Sequence, residues 1–81
     1  MTKNELNDKL IKLDINPNSY KLDGGLWDDR YILNQESGGK WSVYYSERGE
    51  MIGYTIFDNE NDACSYVLKK IENDPSTRNR K

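Results

Sequence analysis

Histidine is absent from this chain, and Cys64 is its one cysteine. Without histidine there is no Ser-His or Cys-His pair to activate a nucleophile. A single thiol forms no intrachain disulfide, which a secreted domain this small would usually need. One soft ligand also argues against zinc. No run approaches the roughly 20 apolar residues of a membrane span, and Met1–Glu5 lacks the apolar core of a signal peptide. Neither charge sign dominates: 12 basic and 14 acidic residues leave a net charge of −2, with no basic stripe to follow a nucleic acid. The expectation is a soluble cytoplasmic protein.

What is present is compatible with one thin core. The 81 residues are 35 % hydrophobic and 32 % charged, enough for a single small domain without a deep cleft. Thr2 and Glu5 have capping-box spacing, and Leu6, Leu10 and Leu13 follow at helical intervals, predicting a helix over about residues 3–13. Pro17 ends it. Short strands are expected at Ser19–Leu22, Arg30–Asn34, Lys40–Ser46 and Met51–Phe57, separated by glycine-containing breaks. Asp58 or Asn59 then caps a helix over about 60–72, whose apolar stripe is Ala63, Cys64, Val67, Leu68 and Ile71. The expected class is α+β: a four-stranded antiparallel sheet with an N-terminal and a C-terminal helix on one face, in the order α-β-β-β-β-α. Residues 1–75 form the domain, and Ser76–Lys81, with nothing apolar to bury, reads as a frayed tail.

The stretch "GGKWSVYYSERGEMIGYTIF", Gly38–Phe57, alternates closely enough to imply a register. Centring the hairpin on Arg48-Gly49 sets Trp41 against Ile56, Val43 against Tyr54 and Tyr45 against Ile52, all on the face that takes the helices. The other face then pairs Ser42 with Thr55, Tyr44 with Gly53 and Ser46 with Met51. This register opposes Glu47 and Glu50, a like-charge pair that a four-residue loop would relieve. Nothing else in the chain is expected to cover the second face. A solvated sheet face is ordinary, but its Tyr44 and Met51 are residue types that interfaces favour.

Catalytic and ligand-binding signals are weak. Cys64 sits on an apolar stripe and reads as a small core residue. Asp58–Asp62 resembles the start of a calcium loop, but Ala63 and Lys69 stand where glycine and glutamate are needed, so helix capping explains it better. Paired acids such as Asp28 with Asp29, or Glu47 with Glu50, lack a cleft to raise one pKa for glycoside hydrolysis. Gly24-Gly25 and Gly38-Gly39 lack the fuller spacing of phosphate-binding loops. Neither an enzyme nor a cofactor or metal is expected.

Three segments, "SYKLDGGLWDDRYIL", "GGKWSVYYSERGE" and "FDNENDACSYVLKKI", resemble the small immunity proteins of bacterial polymorphic toxin systems, including contact-dependent growth inhibition. The resemblance runs over most of residues 5–72. It implies one-to-one binding and neutralisation of a cognate toxin domain, often a nuclease, in the cytoplasm. A basic nuclease site would pair with acidic loops. The candidate contacts are Asp23, Asp28, Asp29, Glu47 and Glu50, the aromatic Trp27 and Tyr44, and Arg48 and Met51. The alternative is a small adaptor or regulatory module binding through the sheet face or edge. Base stacking on Tyr44 would need basic neighbours, and its neighbours are not basic.

Overall fold

A computed structural model describes residues 1–79. Helix α1 spans Lys3–Lys12 and α2 spans Glu60–Glu72. Between them lie strands β1 (Tyr20–Lys21), β2 (Arg30–Gln35), β3 (Trp41–Glu47) and β4 (Glu50–Phe57), in one sheet ordered β1-β2-β3-β4. The α+β class and the six-element order are as the sequence implies. The expected capping box closes α1, with Thr2 Oγ1 accepting from the Glu5 amide and Glu5 accepting from the Thr2 amide. Asn59, rather than Asp58, caps α2 through the Asp62 amide.

Two corrections concern the sheet. It is mixed: β1 pairs parallel to β2, while β2–β3 and β3–β4 are antiparallel. A parallel pair needs a crossover rather than a hairpin. Residues 22–29 supply one, leaving β1 and crossing the sheet before entering β2. Secondly, the β3–β4 register changes partway along. Near the turn it is as expected, with Tyr45 opposite Ile52, Ser46 opposite Met51 and even the like-charged Glu47 opposite Glu50. The turn is the tight Arg48-Gly49 pair, both at positive φ (51° and 80°), so no longer loop relieves those acids. Beyond Tyr45 the ladder is shifted, and Val43 pairs Thr55, Ser42 pairs Ile56 and Trp41 pairs Phe57. Gly53 and Tyr54 together oppose Tyr44, which makes a β-bulge.

The bulge inverts the faces of the outer half of β4. Tyr54 and Ile56, expected beneath the helices, are 43 % and 52 % exposed. Thr55 and Phe57 take the helix-side positions, and Phe57 packs against the Tyr66 ring at 5.1 Å. Gly53 adopts φ 68°, in the left-handed region where glycine carries no penalty. The Tyr44 ring does not cover this glycine; it stacks on Tyr54 at 5.7 Å.

The core fills the space between the sheet and both helices. Leu6 and Leu10 of α1 meet Ala63, Cys64, Val67 and Ile71 of α2 over Tyr20, Leu33, Trp41 and Val43. Burial pushes the Cys64 thiol up to about 11, leaving essentially no thiolate at neutral pH.

The segment after α2 is a third correction. Ser76–Asn79 does not fray. Pro75–Thr77 forms a turn of 3-10 helix, and Thr77 is 2 % exposed. Its carbonyl accepts from the Asn16 amide at 2.7 Å, and its hydroxyl donates to the Ile71 and Asp74 carbonyls. Arg78 bridges to Ile15, and the Asn79 amide donates to Asp14. The buried strand-like contact to Ile15 supplies what composition alone did not reveal. The rest of the expected tail, residues 80–81, lies outside the described residues.

Candidate interaction surface

The second face of the sheet is not open. Lys21, Arg30, Ile32, Asn34, Ser42, Tyr44 and Ser46 share it through the strand register. Ile32, Ser42, Tyr44 and Ser46 are buried, although no helix lies above them. Their cover is the 22–29 crossover. The Gly24 amide donates to the Leu33 carbonyl at 3.0 Å, the Tyr44 hydroxyl to the Gly25 carbonyl at 2.8 Å, and the Trp27 amide to Ser46 Oγ at 2.9 Å. At Gly24, where φ is 77°, a Cβ would stand 2.2 Å from Asn34 Oδ1, so a larger residue would strain the backbone and displace that side chain. Tyr44 is therefore 5 % exposed and its hydroxyl is committed. It is a support for the crossover rather than a contact residue, which corrects its assignment from alternation.

Trp27 is folded back as well. Its indole N–H donates to the Gly24 carbonyl at 3.2 Å. Arg30 and Lys21 place their cationic heads 4.8 Å and 5.4 Å from its ring centroid. The ring still shows 41 % of its surface, but its immediate partners are cations, not the acids expected from sequence proximity. Asp23 is paired with Lys3 Nζ at 3.0 Å, which holds its carboxyl below the usual range.

The remaining acids gather at the hairpin end of the sheet. Burial raises the Tyr45 hydroxyl pKa, and the nearby carboxylates of Asp29, Glu47 and Asp74 add to the effect. Tyr31 lies edge-on to Tyr45 at 4.9 Å and donates to Asp74 at 2.9 Å. Burial and that bond push the Tyr31 hydroxyl up to about 12. Asp28, Arg48, Glu50 and Met51 are exposed, and Glu47 is half-buried.

On the second face, Glu36 ties three strands together. It accepts from Tyr54 Oη at 2.9 Å, from Ser42 Oγ at 3.0 Å and from Asn34 Nδ2. These bonds, the Tyr54 bond foremost, lower its pKa. A carboxyl depressed on folding contributes stability that is complete above its unfolded pKa and is lost as pH falls through the folded value. Urea melts of the wild type should therefore lose stability on acidification below about pH 4.5. Glu36→Gln should remove part of that acid dependence while lowering stability at pH 7. An unchanged acid slope would show that Glu36 carries none of it.

Beside this support lies an apolar strip that alternation assigned largely to the core. Leu26 is 57 % exposed, Met51 52 %, Ile52 46 % and Ile56 52 %. Met51, Tyr54 and Ile56 lie on the second face of β4, Ile52 on its helix side, and Leu26 and Trp27 on the crossover. Of these, only Trp27 and Met51 were legible as candidate contacts. Gly53 was the signal for Tyr54 and Ile56, since glycine inside a strand commonly marks a bulge.

Comparison with protein-family models, curated proteins and solved structures finds no match for the chain. Among the described residues, no helix is long and apolar enough to cross a membrane, and no cluster of His, Cys, Asp or Glu could hold a metal ion.

Proposed function

We propose that this protein is an immunity protein that binds and neutralises a cognate toxin domain, most readily a nuclease, one-to-one in the bacterial cytoplasm and without catalysis of its own. The observation that carries this reading is the exposed apolar strip of Met51, Ile52, Tyr54 and Ile56 beside the acids Asp29, Glu47 and Glu50. Apolar side chains supply contact area, and acids steer association with a basic active site. The resemblance of the three sequence segments to immunity proteins names the kind of partner.

The test is co-expression with the product of the adjacent gene, read by cell survival and by co-purification. Met51→Lys with Ile56→Lys should abolish protection, and both positions are exposed enough for the fold to persist. Glu47→Lys with Glu50→Lys should slow association tenfold or more at low salt, with a smaller effect as salt rises. Glu72→Lys, exposed on α2, should protect like the wild type. A wild-type protein that forms no complex with that product overturns the immunity reading. Stable capture of a non-toxic protein by the same strip would instead establish the adaptor alternative.

A further inference from the structure

We propose that the free edge of β4 is a strand-addition site for an extended segment of the partner protein, one with alternating apolar residues and basic residues at the end that meets Glu47 and Glu50. The inference rests on the protein-binding reading above and adds the mode of binding and the chemistry of the segment.

A sheet edge presents unpaired backbone donors and acceptors, and proteins usually blunt such edges with charge, proline or brevity. The other edge of this sheet, β1, is two residues long. In contrast, β4 runs through eight residues, Glu50–Phe57, with neither proline nor charge between Met51 and Phe57. Its side chains are exposed to both sides: Met51, Tyr54 and Ile56 on the second face, Ile52 on the helix face. An added strand would cover both sets at once, which docking on either face alone would not. The bulge at Gly53 breaks the edge into two short ladders and limits indiscriminate pairing. On the helix side, a hollow of about 220 Å³ opens beside Ile52 and Gly53, walled by Tyr31, Tyr45 and Tyr66. It can receive one apolar side chain of the incoming strand.

Charge selects the occupant. Glu47, the last residue of β3, and Glu50, the first of β4, make the hairpin end of this edge acidic, whereas Asp58 beyond the far end is neutralised by Lys40 at 2.8 Å. A segment with lysine or arginine at the end beside Glu47 and Glu50 pairs with that charge. Lys70, beside the hollow, disfavours a cation in the middle of the segment.

The probe is a synthetic nonapeptide, Lys-Lys-Val-Thr-Leu-Thr-Val-Lys-Lys, with a counterpart in which glutamate replaces every lysine. Amide hydrogen exchange of the full chain is followed at about 1 mM peptide and about 50 mM salt. The lysine peptide should slow exchange within Met51–Phe57 tenfold or more and leave α1 unchanged. The glutamate peptide should not. Glu47→Lys with Glu50→Lys should weaken the preference or reverse it, and Ile52→Lys with Ile56→Lys should remove protection. No β4 protection, or equal protection by both peptides, overturns the proposal. So does protection that grows with protein concentration alone, which would make the occupant a second copy. A chain that protects cells while showing no β4 protection would retain the immunity role and lose strand addition. One that binds the peptide selectively but protects against no adjacent toxin would do the reverse.

Discussion

Val43→Asp should abolish the folded state, whereas Ile56→Asp should leave it intact. Val43 is 2 % exposed at the centre of the core, facing Leu33 and both helices. Its neighbours in that cluster are apolar, so an ionised aspartate there would lose its hydration among them. The penalty is several kcal/mol or more. A chain of this length has a total stability of only about 4–12 kcal/mol. Ile56 is the discriminating control. Uninterrupted alternation would bury it opposite Trp41, whereas the bulge at Gly53 turns it outward opposite Ser42. Circular dichroism and urea melts of the two variants test the register directly. Cooperative unfolding of Val43→Asp near the wild-type midpoint would contradict the core assignment. Loss of fold in Ile56→Asp would contradict the bulge.

Ending the chain at Pro75 should lower the melting temperature by roughly 10–20 °C, although the removed residues contain no large apolar side chain. The truncation removes the Thr77 carbonyl that satisfies the Asn16 amide, the Thr77 hydroxyl that serves the Ile71 and Asp74 carbonyls, and the Asn79 amide bonded to Asp14. Net contributions near 1 kcal/mol per bond add to about 3 kcal/mol, with the unpaired Asn16 amide adding its own cost. Thr77→Val separates the hydroxyl from the backbone contribution and should cost about 1 kcal/mol by itself. A truncated protein melting within a degree or two of the full chain would show that the terminal turn is a passive appendage.

Both helices were legible because their determinants are local. Thr2 and Glu5 lie within one turn of each other, Asn59 is next to the helix it caps, and the apolar stripes recur at fixed spacing. The Arg48-Gly49 turn was equally legible, and it set the register for the residues next to it, Tyr45 with Ile52 and Ser46 with Met51. The candidate surface was read less well. Met51 and Glu50 are exposed as expected and Glu47 is half-buried, but Tyr44 is buried, Asp23 is paired with Lys3, and Trp27 has the cations of Lys21 and Arg30 over its ring.

The amino-acid sequence alone determined the helices, the four strands, their order and the α+β class, since each follows from interactions spanning a few residues. Only the tertiary structure decided which faces are covered. Alternation assigns side chains to two sides of a strand, but one inserted residue at Gly53 exchanges those sides for Tyr54 and Ile56. Nothing in the local pattern of Lys21 or Arg30 states that β1 runs parallel to β2. That follows from the Gly24–Trp27 crossover meeting Leu33, Tyr44 and Ser46, which lie far from it along the chain. Thr77 is a polar residue in a polar segment, and it is buried because the Asn16 amide and the Ile71 carbonyl converge on it. Hydrogen bonds between residues some 60 positions apart leave no periodic trace in a sequence; they exist once the core has brought the two ends of the chain together.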